Sequence, residues 1–171
     1  MAEKEAERVK GPEAQVSAFY EYNRSEREQW RQRAQTGQVV IRGKELNYQQ
    51  SRQGRSRWYL HPLRKETALQ GWMLFQQDIR THSGRHRHQG GLAIYVLEGK
   101  GWTMVDGVRH DWEEGDLILL PIKPHGVEHQ HFNADPGQPC KWLAMIYRHF
   151  AEAMFSELEQ KEASPDWSGQ G

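Results

Sequence analysis

Histidines are the residues of this chain whose types and spacing most directly suggest chemistry. Seven of the nine lie between residues 82 and 131, and four of them form two pairs, His86 with His88 and His129 with His131. In an extended strand residues i and i+2 share a face, so each pair presents two imidazoles on one side. Imidazoles bind iron, zinc, copper and nickel, and three of them leave open coordination positions. Taken alone, the first pair is more simply explained as an exposed basic loop.

The elements that carry these histidines belong to a mainly β chain. From residue 38 onward, short apolar or β-branched runs alternate with turn signals such as EGKG, DG, EEGD and ADPG. Their spacing of about 8 to 12 residues is typical of a sandwich or barrel. We predict nine strands, at residues 38–43, 57–61, 71–79, 92–99, 101–106, 107–112, 116–121, 126–133 and 141–148.

The two ends of the chain predict helices. Residues 1–13 are charged and poor in large apolar side chains, so we expect a disordered lead. Helices are predicted over 14–35 and, with apolar residues spaced four apart, over 149–162. The expected organisation is an N-terminal helix and strands packing on a barrel (14–80), the barrel core (81–148), and a C-terminal helix and tail (149–171).

Composition argues against several classes of function. The 171 residues include 23 Lys and Arg against 23 Asp and Glu, so no net field favours nucleic acid or an anionic membrane. No apolar run approaches the ~20 residues of a membrane span, and the N-terminus is charged rather than signal-like. We therefore expect a cytoplasmic, single-domain protein. Its one cysteine, Cys140, cannot form an internal disulfide, so packing must supply the stability.

Two stretches resemble the paired motifs of the cupin superfamily, a small jelly-roll β-barrel. The first stretch, GRHRHQGGLAIYVLEGKG, places His86 and His88 in the H-x-H slots of that motif. Counting back from Gly99 puts Leu92 in the slot where the family has glutamate, so the carboxylate ligand is missing. The leading glycine slot falls on Arg80, a departure at a position that shapes a turn.

The second stretch, GDLILLPIKPHGVEHQHFN, supplies the third histidine. Gly115 and Pro121 fit the first half of the motif, and His129 and Asn133 fit the second half in register. Both halves fit only if three residues are inserted between them, which a turn accepts at small energetic cost. The resemblance spans about residues 82–148 and implies a mainly β, single-domain cupin with a helix at each end.

What the resemblance implies is a metal site formed by His86, His88 and His129. An all-histidine set is similar to that of the gentisate- and salicylate-type ring-cleaving dioxygenases. It implies a mononuclear non-heme Fe(II) enzyme acting with O₂ on a small anionic chelating substrate, such as a hydroxylated aromatic acid. His131 is the expected catalytic residue, either transferring a proton or donating a hydrogen bond to the substrate; its alternative role is to hold a neighbouring side chain. The resemblance also implies a homodimer.

Other interpretations stay open at this stage. The same barrel with Mn, Ni or Zn could be a lyase or isomerase that uses the ion as a Lewis acid, or a non-catalytic cupin that binds a small molecule. Gln89 offers an amide oxygen as a fourth ligand. An arginine is the expected partner of a substrate carboxylate, and the sequence does not choose among Arg52, Arg55, Arg57 and Arg148.

Overall fold

A computed structural model describes the backbone of residues 2–169 and the side chains of residues 17–169. Within the described residues the chain divides into two compact units, one formed by residues 2–40 together with 66–69 and the other by residues 41–65 and 70–169. The first unit contains helix α1 (Ala2–Thr36), after which Gln38 forms a parallel bridge with Thr67. All the strands belong to the second unit.

Eleven strands of the second unit form two antiparallel sheets among the described residues. The larger sheet has the order β1-β2-β3-β10-β5-β8 and the smaller one the order β11-β4-β9-β6-β7. The strands are β1 (Gln49–Ser51), β2 (Gly54–Leu60), β3 (Trp72–Asp78), β4 (Arg85–His88), β5 (Leu92–Glu98), β6 (Lys100–Val105), β7 (Val108–Glu113), β8 (Leu117–Leu120), β9 (Val127–Asn133), β10 (Lys141–Tyr147) and β11 (Glu159–Glu162).

Alternation along these strands produces the hydrophobic core. On β5 the residues Leu92, Ile94 and Val96 are buried, while Tyr95 and Leu97 are exposed, as expected for strands that face the interior on one side only. The buried cluster extends from these residues to inward side chains of β7, β8 and β10. Its members are Ile79, Leu92, Ile94, Val96, Trp112, Ile118, Leu120, Cys140, Trp142 and Ala144.

The predicted fold class, mainly β with a helix near each end, is confirmed. Eight of the nine predicted strands correspond to strands of the structure. The ninth is wrong: residues 38–43 contribute a single bridge residue and lead into a 3₁₀ helix, Gly43–Glu45. The list of predicted strands also lacks β1 and β11, which are short, and β4, whose arginines and histidines show no apolar alternation.

Both predicted helices have different bounds in the structure. The backbone of α1 is helical from Ala2, whereas the sequence predicts a disordered lead over 1–13; Met1 and the side chains up to residue 16 lie outside the described part. The second helix, α2, is only Arg148–Ala153 and not 149–162. It ends because Phe155 adopts a left-handed φ of 50°, and the following residues pair with β4 as β11. No helix among the described residues is long and apolar enough to cross a membrane.

Candidate metal centre

Pairing between β4 and β9 brings the predicted metal ligands together. The two strands are antiparallel, with His86 directly opposite His129 and His88 opposite Val127. The ring centroids of His86 and His129 are 4.3 Å apart, and those of His88 and His129 are 4.7 Å apart. One nitrogen of each of the three rings lies within 4.8 Å of one nitrogen of each of the others. Three ring nitrogens this close together could hold one metal ion.

Backbone carbonyls fix the tautomer of all three rings. Nδ1 of His86 lies 3.2 Å from the Gly84 oxygen, Nδ1 of His88 lies 2.6 Å from the Gln89 oxygen, and Nδ1 of His129 lies 3.3 Å from the Val127 oxygen. A carbonyl oxygen only accepts, so in each neutral ring Nδ1 carries the proton. Nε2 then keeps its lone pair, and an N–H bond to a carbonyl is the usual way in which metal-binding histidines are oriented.

Burial keeps these imidazoles uncharged. Desolvation lowers the pKa of His86 to about 4, with a smaller contribution from the nearby His88. Burial likewise lowers the pKa of His88, and it lowers the pKa of His129 well below the usual range, with repulsion from His86, His131 and His88 adding to the effect. A protonated imidazole cannot bind a metal, so the folded protein holds the ring nitrogens in the ligand form near neutral pH.

His131 lies beside this group but is held differently. Its ring centroid is 5.4 Å from that of His129, and its Nδ1 is 2.7 Å from the hydroxyl of Thr103, the residue paired with it across β6 and β9. That hydroxyl also accepts the indole N–H of Trp112 at 2.9 Å. The hydroxyl hydrogen is then available to His131 Nδ1, an arrangement that accommodates the ring proton on Nε2. In that tautomer His131 offers a hydrogen-bond donor at Nε2, unlike the three rings beside it.

The four histidines line one cavity of about 570 Å³. Its wall includes three aromatic rings in contact: Trp58 and Phe75 have centroids 4.5 Å apart, and Phe75 and Trp142 have centroids 5.7 Å apart. Trp142 in turn lies 4.9 Å from the ring of His131. A mainly apolar cavity with a few convergent polar groups is the usual form of a small-molecule site.

Leu92, which fills the glutamate slot of the family motif, lines the same cavity and is 8% exposed. Among the described residues, the group of side chains able to hold a metal consists of the three histidines and includes no carboxylate. The interpretation of Gln89 as a fourth ligand is not supported, because its Oε1 accepts the backbone N–H groups of Gly90 and Lys123. Gln89 instead ties the β4–β5 turn to the loop before β9.

The structure distinguishes the four candidate arginines. Arg55 pairs with Asp78, Arg57 donates to Gln76 and Gly43, and Arg148 pairs with Glu152. Arg52 is the one of the four that lines the cavity; it is an exposed residue, and its guanidinium has no ion pair or side-chain hydrogen bond within the described part of the chain.

Family and structural comparisons agree with this fold. Residues 74–146 match the family model described as the cupin domain. None of the curated proteins matches it.

Similar solved structures include the polyketide cyclase RemF from Streptomyces resistomycificus, at 19% identity and a TM-score of 0.54 over 75% of this chain and 89% of that one. They also include a variant of salicylate 1,2-dioxygenase from Pseudoaminobacter salicylatoxidans in complex with gentisate, at 23% identity and a TM-score of 0.50 over 81% of this chain. This chain covers only 36% of that dioxygenase. At these identities the two structures establish a shared fold.

Sequence reasoning missed the residues that hold His131. Thr103 is fully buried and connects Trp112 to the site, yet a threonine in a strand is ordinarily unremarkable. One signal was present: on β6 the residues Gly101, Thr103 and Val105 alternate on one face, and Thr103 is the polar member of that row. An inward polar position next to a histidine strand is a candidate for a supporting hydrogen bond.

Acid should destabilise the metal-free protein well before its carboxylates are protonated. The unfolded chain takes up protons at these histidines near pH 6.5, whereas folded His86 resists protonation until about pH 4. Stability is therefore present in full above about pH 6.5 and is lost as the pH falls toward 4, because the unfolded state binds more protons. Between pH 6.5 and pH 5 we expect a loss of about 2 kcal/mol from His86 alone.

Urea unfolding of the metal-free protein at several pH values measures this loss. The variant His86→Gln should show a shallower decline than the wild type, and His110→Gln, on the exposed face of β7, should match the wild type. An unchanged slope in His86→Gln would contradict the prediction.

Replacing Thr103 by valine should destabilise the protein by about 2 kcal/mol, because the same shape without a hydroxyl leaves buried Trp112 and His131 nitrogens without a partner. Thr103→Ser keeps the hydroxyl and should cost about 1 kcal/mol, the value of a buried methyl group. Denaturant unfolding of the two variants at pH 7.5 gives the comparison. Equal losses would mean that the hydroxyl contributes no net stability.

Proposed function

We propose that this chain is a mononuclear non-heme Fe(II) dioxygenase that oxidatively cleaves a small anionic chelating substrate, such as a hydroxylated aromatic acid. The observation that carries the proposal is the convergence of three uncharged imidazoles in one cavity, with no carboxylate in the group among the described residues. The fold alone does not decide the reaction, since one structural neighbour is a dioxygenase and another a cyclase.

The charge of the three-histidine group favours an anionic substrate. Three neutral imidazoles leave the charge of a divalent ion uncompensated, and Leu92 adds an apolar side chain where an acidic one would have reduced that charge. In a cavity with mainly apolar walls, uncompensated positive charge favours an anionic ligand. A substrate with adjacent phenolate and carboxylate oxygens satisfies both the charge and the open coordination positions.

Fe(II) bound there would orient the substrate and O₂ together and pass electrons between them. Residues of the chain orient the metal ligands and form the walls of the cavity. The carbonyls of Gly84, Gln89 and Val127 hold the three rings in one tautomer, and the aromatic wall offers the substrate an apolar surface beside them.

His131 has the chemistry of a neutral donor. Burial lowers its pKa to about 3, so at neutral pH it is not an imidazolium acid. With Nδ1 bonded to Thr103, its Nε2–H can donate a hydrogen bond to an oxygen of the substrate. Of the two catalytic roles predicted for His131, we therefore propose the hydrogen bond rather than proton transfer.

Arg52 is the residue we propose for binding the substrate carboxylate. It occupies the turn between β1 and β2, and that turn is fixed to the site by its backbone: the Gln53 carbonyl accepts the N–H of Gly84, and the Gly84 carbonyl accepts His86 Nδ1. The approach is close, because a Cβ at Gly84 would lie 2.4 Å from the Arg52 carbonyl oxygen. A fixed backbone with a free guanidinium is suited to bidentate capture of a carboxylate.

Metal content and oxygen uptake test the proposed function. Protein stripped of metal and reloaded with Fe(II) should consume O₂ with gentisate or a salicylate, and reloading with Mn, Ni or Zn should not restore the rate. Alanine at position 86, 88 or 129 should lower bound iron and activity together by at least tenfold, while His110→Ala keeps both. Substrate turnover under argon, or full activity without iron, would instead support the lyase or isomerase interpretation.

Arg52→Gln should raise KM for an anionic substrate by about 10- to 100-fold and change kcat by less than threefold, because the lost contact exists before the reaction begins. Arg52→Lys keeps the positive charge but loses the planar guanidinium that can donate two parallel hydrogen bonds. Its KM should therefore lie between those of the wild type and Arg52→Gln. Steady-state oxygen uptake gives both constants. If Arg52→Gln has the KM of the wild type, another group binds the carboxylate.

A further inference from the structure

The volume of the cavity indicates how large a substrate it can hold. A cavity of about 150 Å³ holds a single benzene ring, whereas the cavity around the histidines has a volume of about 570 Å³. A one-ring acid at the metal would leave most of this space to water against apolar walls. The cavity is therefore large enough for about three rings.

The lining indicates what fills the additional space. Successive inward positions of β3 and β10 pair as Gln77 with Trp142, Phe75 with Ala144, and Met73 with Ile146, and all six line the cavity. On β2, Ser56 and Trp58 continue the first two of these rows. The space thus extends across three strands, about 10 Å at the usual strand spacing.

Small residues make the space and aromatic residues shape it. Ser56, Gly54 and Ala144 contribute almost no bulk, and the rings of Trp58, Phe75 and Trp142 form a continuous wall next to them. Aromatic rings pack well against flat apolar ligands by offset or edge contacts. A flexible aliphatic ligand would gain no such geometric match and would lose more conformational freedom on binding.

We propose that the substrate is a polycyclic hydroxylated aromatic acid of about three fused rings, with its chelating end at the three histidines and its remaining rings along the wall formed by Trp58 and Phe75. This inference rests on the proposed function only for the position of the chelating end. The expectation that further rings bind in the same cavity depends on its volume and its walls.

Binding is the appropriate measurement, because it is independent of turnover. Isothermal titration of Fe(II)-loaded protein under argon compares salicylate, 3-hydroxy-2-naphthoate and 3-hydroxyanthracene-2-carboxylate, which carry one chelating group on one, two and three fused rings. The apolar surface buried by each further ring should lower Kd about fivefold. In metal-free protein all three should bind more weakly, but with the same dependence on ring number.

Two variants fill part of the cavity from different sides. Ala151→Phe, on α2, and Ser56→Phe, on β2, each add about one ring of volume at a residue that lines the cavity. We expect either variant to bind the three-ring acid no more tightly than 3-hydroxy-2-naphthoate, with salicylate within about threefold of its wild-type Kd. Ala153→Phe is the matched control, since it adds the same ring on an exposed residue of the same helix that does not line the cavity.

Wild-type affinities that do not rise with ring number would overturn the inference, and this result needs no variant to fold. A gain in affinity from the third ring that persists in both filled variants, as it does in Ala153→Phe, would also overturn it by placing that ring outside the cavity. If the series behaves as expected but no O₂ is consumed, the ring-size inference stands and the dioxygenase proposal fails.

Discussion

The antiparallel pairing of β4 with β9 is the constraint on which the candidate site depends. It sets His86 opposite His129 and leaves His88 one step along the same face. Since side chains alternate between faces, a register slip of one residue would turn a histidine strand away from the interior. A slip of β4 would place Arg87 in the apolar cavity, and a slip of β9 would place Glu128 there, although the two side chains now pair on the outer side. Burial of those charges is costly, so the pairing that builds the site is also the one that the core favours.

Burial and metal binding both favour the uncharged form of these histidines. In an apolar cavity an imidazolium is unfavourable, and His86, His88, His129 and His131 all have a lowered pKa for that reason. A neutral ring still carries one N–H that must be satisfied, and the nearest acceptors for the three ligand candidates are backbone carbonyls. The same hydrogen bonds leave Nε2 unprotonated. Packing alone therefore produces the protonation state that a divalent ion needs.

The sequence predicts the parts of the site that depend on local spacing. The i, i+2 histidine pairs and the two motifs identify His86, His88 and His129, and apolar alternation identifies most of the strands. What the sequence does not predict depends on contacts between distant segments. The pairing of Glu159 with Arg87 makes a strand of residues whose own pattern is helical. The pairing of Arg55 likewise depends on Asp78, 23 positions along the chain from it.

Strand β10 contributes residues both to the hydrophobic core and to the wall of the cavity. Trp142 and Ala144 belong to the hydrophobic core cluster and also line the cavity. Large side chains such as Trp112 fill one part of the interior, whereas Ala144 and Ser56 leave the part next to the histidines open. Unfilled apolar volume carries an energetic cost because the surrounding groups lose dispersion contacts. A ligand that occupies the cavity restores those contacts, so its binding should stabilise the same strands that hold the candidate metal centre.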